Sequence, residues 1–532
     1  MKKLLQIAII LTFCGLTTTL TSCRSVKNAV GTRDKTRQSI VILFETDVHC
    51  AISDYAKIAG LRDGVADTAW VALVSCGDFL QGGTPGAISR GQYITDIMRS
   101  MHYDAVTLGN HEFDYGVPRM RELLDGLNAP VVCCNYTDMQ GRNIYAPYTI
   151  RNYGGRKVAF VGVLTPYTEL KAEWYAFHDA KGQSVYTLHE KTYADMVQQA
   201  VDKARSEGAD YVVLLSHTGE DFESDPSNHL TSNHIISVTH GIDAVLDGHS
   251  HNAVDTLIRN SQGRLVHLAN TGAYFTNIGK LWIGAEGQMD ITLIPARQVT
   301  QVSTAVDAEI KKVKRQTKEQ TGRVVMHSDY PLVVIDPNGG SLTRRQQTNA
   351  GNLTTDAMRW LMKADIGMIT GGSLRQDMKQ GDITYDDIIN MLPFDNYVIK
   401  IQATGAQILE VLRQNTASLP AEDGDFPQVS GLRYNISIAD HTITNAEVMQ
   451  VDGSRISDVE VLQTDGTYAP LLPTATYTVA STDYATINGG FRGLFIGCTV
   501  LQTANTLCRD AVVKYVKDTL GGNIGQQYAI IW

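Results

Sequence analysis

The chain has 532 residues, too many for one hydrophobic core, so two or more domains are expected. Its composition is that of an ordinary globular protein, 43% hydrophobic and 19% charged. A net charge of −10 leaves no basic footprint for a nucleic-acid polymer and no general attraction to anionic lipid. Phosphate binding remains open to such a chain where metals and a few arginines supply local positive charge.

The first 23 residues do not read as fold. Met1-Lys2-Lys3 is a positive leader, and residues 4–16 form an apolar stretch too short for a usual transmembrane helix. Leu20-Thr21-Ser22-Cys23 resembles a bacterial lipobox. Cys23 is then the expected lipidated first residue of an exported chain anchored in the cell envelope, periplasmic or at the outer-membrane surface. An ordinary secretory signal cut nearby is the alternative. Residues 24–38 are polar and read as a tether, and no later segment is long and apolar enough to span a bilayer. The cysteines (Cys14, Cys23, Cys50, Cys76, Cys133, Cys134, Cys498 and Cys508) show no repeated spacing of a disulfide scaffold. Cys50 and Cys76 read as small packing residues beside polar candidates.

Residues 39–297 alternate strand and helix patterns. Five short apolar runs each lead into potential metal ligands. Run 40–44 leads to Asp47 and His49, and run 70–74 to Gly77-Asp78. Run 105–108 leads to Gly109-Asn110-His111-Glu112, and run 211–215 to Ser216-His217. Run 242–246 leads to Asp247-Gly248-His249-Ser250-His251. The carboxyl ends of neighbouring strands in an α/β sheet line one crevice, so these groups should converge. Between them, Met196, Val197, Ala200, Val201 and Ala204 predict a helix over 193–207, ended by Gly208. Such alternation implies a largely parallel or mixed sheet covered on both faces.

Asp oxygens, His nitrogens and an Asn carbonyl form a hard to borderline donor set, suited to Zn, Mn, Fe, Co or Ni. Seven such groups exceed the needs of one tetrahedral ion. Two ions roughly 4 Å apart, bridged by one carboxylate, would use them all, and Asp78 is the expected bridge.

The ordered set Asp47-x-His49, Gly77-Asp78, Gly109-Asn110-His111-Glu112, His217 and Gly248-His249-Ser250-His251 resembles the calcineurin-like metallophosphoesterase signature. The resemblance implies that Asp47, His49, Asp78 and His251 hold one divalent metal, Zn, Mn or similar. It assigns Asp78, Asn110, His217 and His249 to a second. His251 stands where relatives of the nucleotidase type often have Gln or Asn. His111 is implied to face the substrate phosphate and leaving group, oriented by Asp114, whose carboxylate raises its pKa. A histidine that only supports Asn110 is the other reading. The implied reaction is direct in-line attack of a metal-bound hydroxide on phosphorus, with no phosphoenzyme. His102, His229, His234 and His240 lack a strand-end context and read as surface or packing residues.

Residues 298–330 read as a linker helix, with a weak apolar stripe of Val306, Ile310 and Val313 ending at Gly322. A second domain is expected over 331–532, with helices at 352–363 and 406–414 and a β-rich stretch at 477–481. Its runs Thr348-Asn349-Ala350-Gly351-Asn352, Gly371-Gly372-Ser373-Leu374-Arg375, Pro393-Phe394-Asp395-Asn396 and Tyr484…Asn488-Gly489-Gly490-Phe491 resemble the C-terminal domain of 5′-nucleotidases. The resemblance implies an N-terminal four-layer α/β/β/α metallophosphoesterase domain followed by an α+β substrate-binding domain. Arg345 and Arg375 would clamp phosphate, Phe394 and Tyr484 would sandwich a base, and Asn396 would bond a base edge. On local sequence alone, Phe394 and Tyr484 read as core aromatics, and it is the family pattern that reverses this. Family members usually carry an Asp, contacting ribose hydroxyls, where this chain has Phe491. The implied activity is release of phosphate from nucleotides, nucleoside 5′-monophosphates first and UDP-sugars in some members. The alternatives are a 2′,3′-cyclic-nucleotide 2′-phosphodiesterase/3′-nucleotidase and a non-catalytic surface nucleotide-binding protein.

Overall fold

The computed structural model describes residues 38–169, 174–179, 183–220, 230–337, 339–437, 455–486 and 489–529. Cys23, the leader and nearly all of the tether lie outside the described residues. Among the described residues no helix is long and apolar enough to cross a membrane.

Two sheets form the first half. In one, Ile40–Glu45 runs parallel to Trp70–Ser75, which pairs in parallel with Ala105–Val106. On its other side Ile40–Glu45 pairs antiparallel with Asn277–Ile283, followed by Met289–Pro295 at the edge. The second sheet has the order Ala253–Arg259, Leu265–Thr271, Ala244–Asp247, Tyr211–His217, Arg156–Leu164 and Tyr148–Tyr153. Its four inner strands are parallel and its two edges antiparallel.

The two-residue alternation of a strand explains how these sheets stack. Ile40, Ile42, Phe44, Ala72 and Val74 point inward and join Val158, Phe160, Val213, Leu215, Ala244 and Leu246 in one buried cluster between the sheets. The alternate residues Val41, Leu43 and Leu73 pack outward with Ile58 of the Tyr55–Val65 helix and Ile94, Ile97 and Met98 of the Gln92–Met101 helix. On the far side Val161, Val212, Leu214 and Val245 meet Val197, Val201 and Ala204 of the Tyr193–Ser206 helix, with Ile235 and Ile236 of Ser232–Val238. The result is the four-layer α/β/β/α arrangement. Strands buried on both faces explain why the sequence runs are apolar without a polar alternate. Truncating Phe44, at the centre, would cost about 3–5 kcal/mol.

The Thr304–Thr321 helix does not hang free. Its stripe Val306, Ile310 and Val313 is buried in the outer layer of the first sheet. The chain then enters a sheet of order Pro427–Ser430, Ile366–Thr370, Thr476–Thr482, Tyr397–Thr404 and Thr499–Leu507. Helices Asn349–Met362 and Cys508–Thr519 cover one face, and the Gly405–Asn415 helix packs in the cluster on the other. Side-chain caps set two of these helix starts. The Thr348 hydroxyl accepts the Gly351 N–H at 3.1 Å, so that helix begins three residues before the apolar pattern suggests. Thr404 and Gln407 form a reciprocal capping box. Against the first half packs the Tyr385–Met391 helix, meeting Gly83–Ser89 and Thr304–Thr321.

Candidate metal centre

All seven ligand candidates lie at or just beyond strand ends, and short backbone bonds tie their loops together. Asp47 N–H donates to Gly77 O at 3.1 Å and His49 N–H to Asp78 O at 3.0 Å. Asp78 Oδ1 accepts the His111 N–H at 2.8 Å, and Asp47 Oδ1 accepts the His249 N–H at 3.0 Å. The 105–108 run is a strand only over Ala105–Val106, because the chain then turns to carry Asn110 and His111 into the crevice. Two glycines permit the approach. A Cβ on Gly109 would lie 2.2 Å from Asp78 Oδ1, and one on Gly248 would lie 2.1 Å from Thr46 Oγ1 and 2.7 Å from His217 Nδ1.

Asp47, His49, Asp78 and His251 present ligand atoms that all fall within 4.8 Å of one another. His49 Nε2 is 3.0 Å from His251 Nε2. His217 Nε2 is 3.2 Å from Asp78 Oδ2 and 3.8 Å from Asp47 Oδ1. His249 Nδ1 is 3.0 Å from Asn110 Oδ1, and its ring centroid is 5.4 Å from that of His217. Asp78 thus touches both groups.

The donor chemistry fits a divalent cation. His217 Nδ1 faces the Cys76 carbonyl at 2.7 Å and His49 Nδ1 the Gln81 carbonyl at 3.2 Å. A carbonyl only accepts, so both Nδ1 atoms carry the hydrogen, and in the neutral rings both Nε2 atoms present lone pairs. His217 Nε2 is buried beside two carboxylates, and a neutral ring would set its lone pair against theirs. Acceptors converging on acceptors repel unless a cation lies between them. Burial holds His49 and His249 near pKa 3, neutral and able to ligate. Burial, His49, Arg375 and Arg344 hold His251 well below the usual histidine range. His217 shows the demand for positive charge. Burial opposes its protonation, yet Asp78 and Asp47 outweigh burial and push it up to about 10.

His111 stands apart from these lone pairs. Its Nδ1 is 3.0 Å from Asp114 Oδ2, and its ring centroid is 5.2 Å from that of His49. Burial lowers its pKa, but Asp114 and Asp78 raise it further, so the net shift is upward.

From the second half, Phe394 brings its ring centroid to 5.8 Å from His111, and the Arg375 guanidinium lies over that ring at 5.1 Å. Arg375 Nε is buried with no hydrogen-bond partner within the protein. The other candidates are placed differently. Arg345 is ion-paired with Asp336 in its own half, whereas the charge of its neighbour Arg344 reaches His251. Asn396 is half-buried, and its carbonyl accepts the Cys508 N–H at 2.9 Å. Tyr484 is half-buried, with its carbonyl accepting the Gly490 N–H at 3.1 Å. Phe491 is fully buried in the second-half core, its ring against Phe495, so it lines no site.

Sequence reasoning missed three residues. Glu112 accepts N–H groups of Asp78, Phe79, Leu80 and Gly109 at 2.8, 2.9, 3.0 and 2.5 Å. A carboxylate beside a run of ligands was the available signal. Tyr274 packs its ring 5.3 Å from His49 and 6.0 Å from His251, and no motif marks it. Arg344 is the third; only the fold tells it from Arg345.

Residues 324–495 match the family model of the 5′-nucleotidase C-terminal domain. That stretch is a 5′-nucleotidase C-terminal domain. A second model, that of the bacterial capsule synthesis protein PGA_cap, matches residues 75–267. The trifunctional nucleotide phosphoesterase protein YfkN of Bacillus subtilis is 24% identical over 81% of this chain and 31% of its own length. The 5′-nucleotidase of Rattus norvegicus is 23% identical over 76% of this chain and 73% of its own. Among solved structures, the 5′-nucleotidase precursor of Thermus thermophilus superposes with a TM-score of 0.74 at 22% identity, covering 92% of this chain and 97% of that one. The chain spans between about a third and a half of the first three curated relatives it matches.

Proposed function

We propose that this chain is a member of the 5′-nucleotidase family, an exported, lipid-anchored phosphohydrolase with a centre of two divalent cations, releasing phosphate from nucleotides and from nucleoside 5′-monophosphates first. One observation carries the reading. Arg375 and Phe394, from the second half, stand over His111 at the edge of a convergent cluster of buried His and Asp lone pairs. A phosphate clamp and an aromatic platform beside such a cluster are what a nucleotide requires. The names of the Bacillus and rat relatives agree with it. On this reading residues 39–297 carry the chemistry, 298–330 join the halves, and 331–532 choose the substrate.

Asp47, His49, Asp78 and His251 would hold one cation, and Asp78, Asn110, His217 and His249 the other. When bound, these ions supply Lewis acidity and a lowered pKa for water. The chain's own groups do the rest. His111, held by Asp114 with its raised pKa, donates from Nε2 to the oxygen that takes up charge as the P–O bond breaks. The Arg375 guanidinium donates to the other phosphate oxygens. Phe394 would stack on the base.

A second nucleotide reading has specific support. Phe491 supplies no carboxylate for ribose hydroxyls, and its ring is buried, so a 2′,3′-cyclic phosphodiesterase/3′-nucleotidase is the competing assignment. The test is phosphate release by the protein from residue 38 onward, loaded with Mn or Zn. The substrates are 5′-AMP, 3′-AMP, 2′,3′-cyclic AMP and a UDP-sugar. Preference for 5′-AMP is expected. Preference for 3′-AMP and the cyclic ester selects the competitor. Binding without metal-dependent release from any of them ends the enzymatic reading.

A further inference from the structure

Beside the metal centre a cleft of about 550 Å³ opens between the two halves, with His49 and Tyr274 on one wall and Arg375 on another. Three of its lining side chains are buried polar groups with no hydrogen-bond partner within the protein: Gln81 through Nε2, Thr84 through Oγ1 and Thr317 through Oγ1. Buried polar groups are ordinarily paired, so three in residues along one cavity wall point to a ligand or ordered solvent that they meet when their side chains turn toward it.

Charge narrows the ligand. Lys314 and Lys318 line the same cleft from the Thr304–Thr321 helix, one turn apart on the face that also carries Thr317. Their neighbours Lys311 and Lys312 are ion-paired with Asp307 at 2.7 Å and Glu309 at 2.8 Å. Lys314 and Lys318 have no such partner among the described residues. Asp386 is the acid of this wall, and its Oδ1 receives Thr321 Oγ1 at 3.5 Å. Three cations, with several hydroxyls and amides, against one carboxylate suit an oxyanion with several acceptor oxygens.

We infer that this cleft is a binding site for a second phosphate group, held by Lys314, Lys318, Thr317, Thr84 and Gln81 next to the phosphate at the metal centre. The inference rests on the proposed nucleotide chemistry and extends it. The second phosphate is either a further phosphoryl group of the same nucleotide or free inorganic phosphate.

The experiment compares the metal-loaded protein with a Lys314→Ala/Lys318→Ala variant, using Lys311→Ala/Lys312→Ala as the control. Both pairs are exposed, so all three proteins should fold. A second phosphoryl group predicts that the Lys314/Lys318 variant raises KM for ADP about tenfold more than KM for AMP, the loss expected for a charge-assisted contact. Free phosphate predicts instead an unchanged ADP-to-AMP ratio and a similar rise in the inhibition constant of inorganic phosphate. Thr317→Val should move the same quantity less. If neither quantity changes relative to the control pair, the site does not exist. Calorimetric titration of ADP into both proteins needs no turnover. Lysine-dependent ADP binding without hydrolysis would therefore sink the proposed activity and leave this site standing.

Discussion

Asp78 and Glu112 lock each other's loops: Glu112 Oε2 accepts the Asp78 N–H at 2.8 Å, and Asp78 Oδ1 accepts the N–H of His111, one residue before Glu112, at 2.8 Å. The carboxylate expected to bridge two cations is therefore fixed from behind by a second, fully buried carboxylate that is not itself in the cluster. Glu112→Ala would strand four buried N–H groups. It should cost about 3 kcal/mol or more in denaturant unfolding and weaken metal uptake. A Glu112→Ala protein as stable as the parent would show that the loops hold without it.

His111→Ala should lower kcat by about 10²–10⁴ while leaving the bound metal unchanged, the signature of a proton donor outside the ligand set. Elemental analysis beside steady-state rates separates the two readings of this residue. Parallel loss of metal and rate would mean that His111 only supports Asn110.

Gly248→Ala should damage the centre although residue 248 is no ligand. Its new methyl meets Thr46 Oγ1 at 2.1 Å and His217 Nδ1 at 2.7 Å, so His217 must move. A fall of about 10- to 100-fold in Mn or Zn affinity by calorimetry is expected, as for other changes that disturb the groups orienting a ligand. Unaltered affinity would mean that the Thr46 and His217 side chains can yield without cost.

Arg375→Met should raise KM for a nucleotide about tenfold or more while preserving the fold, since it removes the charge over Phe394 and keeps an apolar stem. Steady-state kinetics with a melting curve test it. An unchanged KM would remove Arg375 from the substrate site.

The second half should lose stability across mildly acid pH as pH rises. Burial, aided by Asp423, lifts Asp425 to about 6 from the ordinary 3.8, although the Phe491 and Arg492 N–H groups favour its charge. Folding then favours the protonated acid. Its contribution is complete below about pH 4 and is lost as pH rises through 6. Thermal melts of the parent and Asp425→Asn from pH 4 to 7 should diverge over that interval. Parallel curves would mean that Asp425 ionises in the fold as it does in the unfolded chain.

The strand ends were legible in the sequence because their cause is local. A strand buried on both faces is a bare apolar run, and polar residues directly after it must leave the sheet on one side. What depends on the relation between the halves was not legible. Phe394 reads as a core aromatic by pattern, and only packing against His111 distinguishes it. The reverse holds for Phe491, which motif spacing puts at the substrate and the fold puts in the core. Arg344 and Arg345 are adjacent and chemically identical, so only the fold shows that Asp336 pairs with Arg345. Glu112 was visible but ambiguous, since a carboxylate among ligands reads as one more ligand until its four N–H donors are seen.

Five of the seven ligand candidates, Asp47, His49, Asp78, His249 and His251, have left-handed backbone, with φ of 50°, 45°, 58°, 82° and 62°. Each costs on the order of 1 kcal/mol or more relative to glycine, and the surrounding loops must over-determine it. Selection for thermal robustness alone would accept glycine at these positions and gain by it, erasing the centre while improving the scaffold. The chain is thus a case of activity and durability pulling on the same residues. An engineer seeking a heat-resistant form should leave these five positions untouched and look for gains on the outer helices.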